Sequence, residues 1–480
     1  MKKVLSAIGV LFLLFLGFIL FKTLTFKSNQ LTVSPKSYLQ VGDSSITRLQ
    51  EAIRFKTVSY DDTNKLDSTS FLSFQKFLTK AFPKTFKTVE VERVNKYSLI
   101  LHWKGKTVAN PLLMLAHQDV VPVEEGTLKS WAAAPFSGQV KDGFVYGRGA
   151  IDDKGSLMAI LESVEALINE GYVPWTDIYF AFGHDEEASG KRGAVAIAKL
   201  FKERNIKPSM ILDEGGIITT NKIPGVTKPV AVIGIAEKGY VTLDLQITIP
   251  GGHSSMPEKE TALDDMAKAI VKLKENPFPP EMGYVLNSFL DYVGPEMPFI
   301  SKMAMANRSI FKPLIFSTYS KSATGSAVIR TTTATTIFNS GIKENVVPGQ
   351  AFATVNFRTQ PGTTEADVIG YVKKIIANDK IEITARPGSS EPKQVADVRH
   401  PTFKSIQNTL NSLSKDLIVA PYLVLGATDA RHFSGLTNQV FRFIPFTDPQ
   451  GFHGINERIS VEDYKKGIGF YYQFLKDWRL

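Results

Sequence analysis

The chain reads as an α/β protein: a mostly parallel sheet with helices between its strands, interrupted by an inserted α+β unit. Three observations predict this. A short apolar run closing on a histidine or acidic residue and followed by a helical stretch occurs three times, as LLMLA before His117, DIYFAFG before His184, and MIL before Asp213. That is the pattern of a parallel sheet, whose ligands collect outside the carboxyl ends of its strands. Near residue 238 the pattern changes to alternating strands and two helices, and from about 389 short strands and turns return.

Taken in order, residues 28–42 are a polar linker containing Pro35. Asp43-Ser44-Ser45 offers an N-cap, and Ile46, Leu49 and Ile53 have helical spacing. Phe71 to Phe82 predicts a helix stopped by Pro83, and 86–103 alternates as strands. Trp131 to Val145 reads as loop and hairpin. Helices are predicted after Gly155, ending at Gly171, and over roughly 190–204. In the inserted unit, Tyr240–Ile249 alternates as a strand, 250–255 is a turn, 261–274 a helix, 329–359 a second alternating region and 364–377 a helix. A last helix runs from Val461 to Leu475. The divisions are 1–27, 28–238, 239–388 and 389–480.

At 480 residues the chain is long enough for two domains, and 43% apolar with 21% charged residues argues against disorder. There is no cysteine, which excludes disulfides and thiolate metal sites and leaves His, Asp and Glu as ligands. The net charge of +9 is a modest excess with no long Lys/Arg run, so no nucleic-acid partner is expected. Val4 to Phe21 is apolar and flanked by Lys2, Lys3 and Lys22. Eighteen residues at ~1.5 Å each just cross a bilayer. The lysines favour a cytoplasmic N-terminus, and no small-x-small cleavage site follows. An uncleaved, single-pass membrane anchor with the body on the exported side (periplasmic or extracellular) is expected; cleavage would make the protein secreted.

The chemistry centres on YGRGAIDDKG, Tyr146 to Gly155. Adjacent Asp152 and Asp153 follow a glycine-punctuated turn, where an acidic pair is costly without a cation or basic partner. His117 and Asp119 lie two apart on extended chain, so Asp119 can reach the second ring nitrogen of His117 and raise its basicity as a ligand. Glu186 and Glu187 adjoin and diverge, so one can bind metal while the other stays free as a general base. Asp213-Glu214 closes a strand, and His453 lies in GFHGINE. Of the seven histidines, His102 and His400 are assigned structural or surface roles, and His184 and His432 the surroundings of the site. His253 lies in a glycine-serine turn of the inserted unit. It could approach the site only if that unit folds over it. These residues predict a two-zinc hydrolytic site.

The motifs HxDVVP, YGRGxxDDKG, GHDEE, LDEGG, GHSSxP, KENVVP, VNFR and HGINE occur in one order over roughly residues 43–475. In this the chain resembles the co-catalytic zinc aminoacylase/carboxypeptidase family. GHSSMPEKET and IRTTTATTIF resemble its carboxypeptidase S and N-fatty-acyl-amino-acid synthase/hydrolase branch. The resemblance implies a zinc-hydrolase catalytic domain with an inserted lid/dimerisation domain, and two Zn2+ per subunit. Asp152 would bridge both metals, with a cis peptide to Asp153. His117 and one of Asp213-Glu214 would complete one metal; Asp213 is chosen because it directly ends the strand. Glu187 and His453 would complete the other. Glu186 would be the base, Asp119 the partner of His117, and His253 the oxyanion stabiliser reaching in from a second subunit of a homodimer. Asn345 and Arg358 would hold the substrate and its carboxylate. The implied activity is hydrolysis of small peptides from the C-terminus or of N-acyl amino acids. A small-metabolite deacylase, an N-fatty-acyl-amino-acid synthase/hydrolase and a non-catalytic binding protein are the rivals. Glu258 departs from the pattern, standing where a second proline would follow the GHSSxP turn. Residues 297–330 are apolar with basic charges only. They are read as a lid wall that accepts an acyl chain or touches anionic lipid, or else as a helix pair packed within the lid.

Overall fold

The computed structural model describes residues 2–391 and 394–480, and it gathers the apolar runs into a nine-stranded central sheet. Eight of its strands are numbered here along the chain: β1 (Glu90–Val94), β2 (Ser98–Trp103), β3 (Thr107–His117), β4 (Thr176–Gly183), β5 (Met210–Asp213), β6 (Val230–Glu237), β7 (Ile418–Val424) and β8 (Val440–Arg442). Their spatial order is β1-β2-β4-β3-β5-β8-β6-β7, with the short strand Ile218–Thr219 paired to β6. The centre, β4-β3-β5-β8, is parallel, as is the β6–β7 pair. β1, β2 and the β8–β6 contact are antiparallel. Strands buried on both faces read as unbroken apolar runs, and so LLMLA and MIL announced β3 and β5. The register sets His117 opposite Gly183, so two of the predicted site segments leave the sheet side by side.

The helix Lys154–Asn169 is buried along most of its length, with Leu157, Leu161 and Val164 fully covered. Each such side chain contributes roughly 1.5–3 kcal/mol. It packs against the last helix, Val461–Asp477. The inserted sheet is antiparallel, in the order Thr332–Ser340, Gln350–Thr359, Gly239–Thr248, Ile381–Ala385. Alternate residues Val241, Leu243, Leu245 and Ile247 face a separate core with Met266, Val355, Phe357 and Val372. Its helices, Ala262–Glu275 and Glu365–Ile376, each start with a capping box, Thr261 with Asp264 and Thr364 with Asp367.

Three sequence expectations are corrected. Residues 83–88 form a short helix with Pro83 at its first position, so the alternation begins at Glu90. A thirteen-residue helix, Pro401–Leu413, stands where only strands and turns were expected. It is capped by His400, which accepts from the Thr402 N–H, and buries Phe403, Ile406 and Leu410. The 239–388 stretch also divides between two cores. The helices Tyr284–Val293, Phe299–Ala306, Arg308–Tyr319 and Ala323–Ile329 pack on the central-sheet core, through Val285, Leu286, Phe289, Val293 and Ile329, and not on the core of the inserted sheet.

Lys238 sits at the junction between β6 and the inserted sheet. It is buried, and its Nζ donates to the carbonyls of Ala327 and Arg330, both at 2.8 Å. Burial, then repulsion from Arg358, pushes its pKa down to about 7, against a smaller pull from Glu281. The folded value lies below the unfolded one near 10.5, so the unfolded chain binds more protons between those pH values. Stability should therefore rise with pH through that window and be constant in this respect below it. In Lys238→Met this gain should vanish, as urea midpoints at pH 7 and 9.5 would show.

Candidate metal centre

The central strands deliver their carboxyl ends to one place. His117, the last residue of β3, turns its Nε2 to Asp152 Oδ1 at 2.8 Å and Glu214 Oε1 at 3.3 Å. His453 Nε2 faces the other oxygen of Asp152 at 2.9 Å and Glu187 Oε2 at 3.2 Å. Two donor groups result, His117-Asp152-Glu214 and Asp152-Glu187-His453, each with its atoms within 4.8 Å of one another and sharing Asp152. The Asp152–Asp153 peptide is cis. His117 Nδ1 faces Asp119, 3.0 Å from its carbonyl and 3.3 Å from its carboxylate. Asp119 also accepts from the backbone N–H groups of Glu186 and Glu187 and from the Ser59 hydroxyl. It thus ties the tautomer of one histidine to the turn carrying both glutamates.

The charges explain what such a cluster takes. Burial, then the charges of Asp152 and Asp153, drives the Glu214 carboxyl well above its ordinary range. Burial and Asp429 do the same for Glu186, and burial raises the Glu187 carboxyl. Burial opposes ionisation of Asp152 too, but hydrogen bonds from His117 and His453 pull it down. Glu187 Oε1 is buried without a partner. Buried carboxylates with too few cations among them are the donor set of divalent metals, and oxygen with imidazole ligands suits zinc and its neighbours. The residues present fit a metal pair.

Asp213 does not join this cluster. Its carboxylate accepts from the Ala430 N–H at 2.8 Å, and hydrogen bonds with Thr428 and Ala430 offset the rise that burial causes. Successive residues of extended chain point to opposite sides, so the neighbour, Glu214, is the one that faces His117. Glu214→Ala should therefore lower the metal bound to the purified protein. Asp213→Asn should leave metal content near wild type, as elemental analysis would show.

The remaining candidates lie elsewhere. His253 and Asn345 are exposed on a two-stranded ribbon of the inserted unit, Gly252–His253 with Val346–Val347. His253 Nδ1 bonds Ser255, and the Asn345 carbonyl accepts from Ser254. Among the described residues no hydrogen bond or ion pair joins either to the cluster. Arg358 lies over the Tyr240 ring, 4.9 Å from its centre, and its pKa is lowered by burial and by the charge of Arg431. His184 bonds Ser98 at 2.6 Å, and His432 the Ser189 carbonyl.

Sequence reasoning missed three residues. Arg431, in GATDARHF, brings its guanidinium to 4.0 Å from Glu186 Oε1. Asp429, two residues earlier, fills the space beside Gly190, where a Cβ would come within 2.3 Å of its carboxylate. Gly190 also takes φ +67°, so the turn after the glutamates needs glycine twice over. Glu457 is the third. Fully buried, it accepts from the N–H groups of Gly149, Ile151 and Asp152 and pairs with Arg148 at 2.6 Å. Arg148 in turn donates to the carbonyls of His453 and Gly454. His453 is held at φ +53°, a conformation that costs a non-glycine residue about 1–3 kcal/mol and persists only where neighbours enforce it.

The chain is similar to known proteins over most of its length. The model of the family described as peptidase family M20/M25/M40 matches residues 113–477. Probable carboxypeptidase S-like 2 of Dictyostelium discoideum is 40% identical over 98% of this chain and 92% of its own length. The N-fatty-acyl-amino acid synthase/hydrolase PM20D1 of Homo sapiens is 36% identical over 89% of this chain and 86% of its own. The M20 family metallo-carboxypeptidase Sso-CP2 from Sulfolobus solfataricus, 20% identical, has the same fold, with a TM-score of 0.66 over 91% of this chain and 99% of that one. With most of its length matched by the family and its metal-ligand groups in place, the chain belongs to peptidase family M20/M25/M40 and is a metallopeptidase or amidohydrolase.

Proposed function

We propose that the protein hydrolyses the amide bond of N-acyl amino acids with extended acyl chains, with Glu186 as general base. One observation carries the substrate choice. A cavity of about 570 Å³ opens from Asp152 and Glu214 and continues between apolar side chains, among them Val285, Phe289, Tyr319, Val328 and Tyr422. A substrate whose carbonyl lies at the carboxylate cluster can bury an apolar chain there. The relatives named as fatty-acyl hydrolases agree with this reading. The carboxypeptidase-named relative favours an alternative in which the cavity takes an apolar residue of a small peptide.

Two zinc ions, one held by His117, Asp152 and Glu214 and one by Asp152, Glu187 and His453, would supply Lewis-acid polarisation and an acidified water. Glu186 takes a proton from the attacking water as the new C–O bond forms, then returns it to the nitrogen as the C–N bond breaks. Asp119 keeps His117 in one tautomer throughout. Arg358, with Arg431, binds the substrate carboxylate, a match for planar guanidinium groups. His253 and Asn345, exposed on the inserted unit, complete the site of a second subunit in a homodimer. The apolar helix Lys2–Thr25, almost wholly exposed, anchors the chain in a membrane with the body on the exported side.

The test is turnover of zinc-loaded protein on N-acetyl, N-octanoyl and N-oleoyl phenylalanine beside C-terminal dipeptides. kcat/KM is expected to rise with acyl length. Phe289→Trp, which fills the cavity, should lower it about tenfold or more for the longest chain and leave N-acetyl turnover unchanged. Faster cleavage of dipeptides than of any acyl substrate would overturn the reading.

A further inference from the structure

The end of the apolar N-terminal helix is not free. Asn307 Nδ2 donates to the Ile19 carbonyl at 3.2 Å and to the Thr23 hydroxyl at 3.3 Å, and Ile19 and Thr23 are buried. Phe26 lies against Gly294, where a Cβ would meet its ring at 2.8 Å. Asn29 donates to the Asp291 carbonyl at 3.0 Å, and Ser28 bonds Glu296 at 2.5 Å. These contacts fasten the helix to one part of the body, the segment that also walls the cavity.

Asn307 is the joint between the helices Phe299–Ala306 and Arg308–Tyr319. Its contact, Ile19, lies three residues before Lys22, about 4.5 Å along the helix axis. Lys22 ends the apolar run, so in a spanning helix it marks the hydrocarbon boundary. The joint is therefore at that boundary, and the two helices flank it at headgroup depth. Their outward residues suit the position. Phe299, Ile300, Ile310 and Leu314 are exposed, Ile300 by 71% and Leu314 by 57%, and Ile310 and Leu314 are one turn apart on the same face. Residues 297–330 carry Lys302, Arg308, Lys312, Lys321 and Arg330 and no acidic residue, and residues 1–42 carry none either. Scattered apolar residues on a surface need no explanation; a basic, apolar face held beside the emerging anchor does.

We propose that the outer face of Phe299–Tyr319 is seated in the headgroup layer of the anchoring bilayer, with anionic lipid as its partner. It rests on the reading of Lys2–Thr25 as a spanning helix. The same segment gives Thr318 and Tyr319 to the cavity, so one wall of the acyl site stands on the membrane surface. This deepens the proposed function, because amphiphilic substrates concentrate in that layer.

The absence of cysteine allows a clean test. Leu13→Cys, Ile300→Cys, Leu314→Cys and Ile342→Cys in the full chain would each carry one environment-sensitive fluorophore. Each would be reconstituted into phosphatidylcholine vesicles with or without phosphatidylglycerol, and quenched with nitroxide lipids. Ile342, 95% exposed in the inserted unit, is the reference. Loss of emission at 300 and 314 as well as 13, greater with phosphatidylglycerol, and none at 342, supports the proposal. Quenching at 13 alone overturns it while leaving the anchor standing. No quenching at 13 overturns the anchor and the proposal together. Blue-shifted but unquenched probes at 300 and 314 assign the face to a second copy of the chain and also overturn it. Lys302→Glu with Lys312→Glu should abolish the phosphatidylglycerol effect at 314 without changing the signal at 13.

Discussion

Glu186→Gln is expected to lower kcat by about 10³-fold while the protein still holds its full metal complement. The substitution keeps size and shape and removes the group that takes and returns the proton. Glu186 is in neither donor group, so metal binding does not depend on it. Its backbone N–H remains bonded to Asp119, and the turn keeps its form. Glu187→Gln is the contrast: Glu187 Oε2 is within 3.2 Å of His453 Nε2, in the second donor group, so that variant should lose metal along with activity. Turnover measured beside elemental analysis separates the two. Near-normal kcat in a metal-replete Glu186→Gln protein would remove Glu186 as the base.

The second large effect is expected at Glu457, which touches no substrate. Glu457→Ala leaves three backbone N–H groups without an acceptor and the Arg148 guanidinium buried without its partner. Breaking one side of a buried ion pair costs about 3–5 kcal/mol. The same change loosens two ligand segments together, because Arg148 holds the His453 loop and Glu457 the backbone at Asp152. Metal affinity should fall by about 10–100-fold, the usual effect of losing a group that orients ligands. Burial pushes the Glu457 carboxyl up to about 7, so the pair is held against its own desolvation. Urea unfolding and metal titration read the two effects. Glu457→Gln keeps a carbonyl oxygen for the N–H groups and should recover part of both.

The strands that end at His117, Gly183 and Asp213 were legible because buried parallel strands are unbroken apolar runs, and because ligands follow their carboxyl ends. The pairing of His117, Asp152, Glu187 and His453 rested on motif order and is now a geometry. What stayed hidden has a common cause. The choice between Asp213 and Glu214 depends on which way a single residue points after a strand ends, which no spacing records. Glu457 looked like one more polar residue in a glycine-rich tail, and only burial reveals its partners. Residues 297–330 read as a lid wall or a helix pair within the lid, but apolar composition does not say which core receives it. Pro401 at the first helical position, with Phe403, Ile406 and Leu410 following, was a usable signal for the helix after His400.

The division of residues 239–388 between two cores has a mechanical consequence. The cavity is walled by the central sheet, its loops and the 284–329 helices, and among the described residues none of its lining comes from the ribbon of His253 or from Asn345. The greasy half of a substrate would therefore be held by one folded layer of the chain, whichever residues meet the polar half.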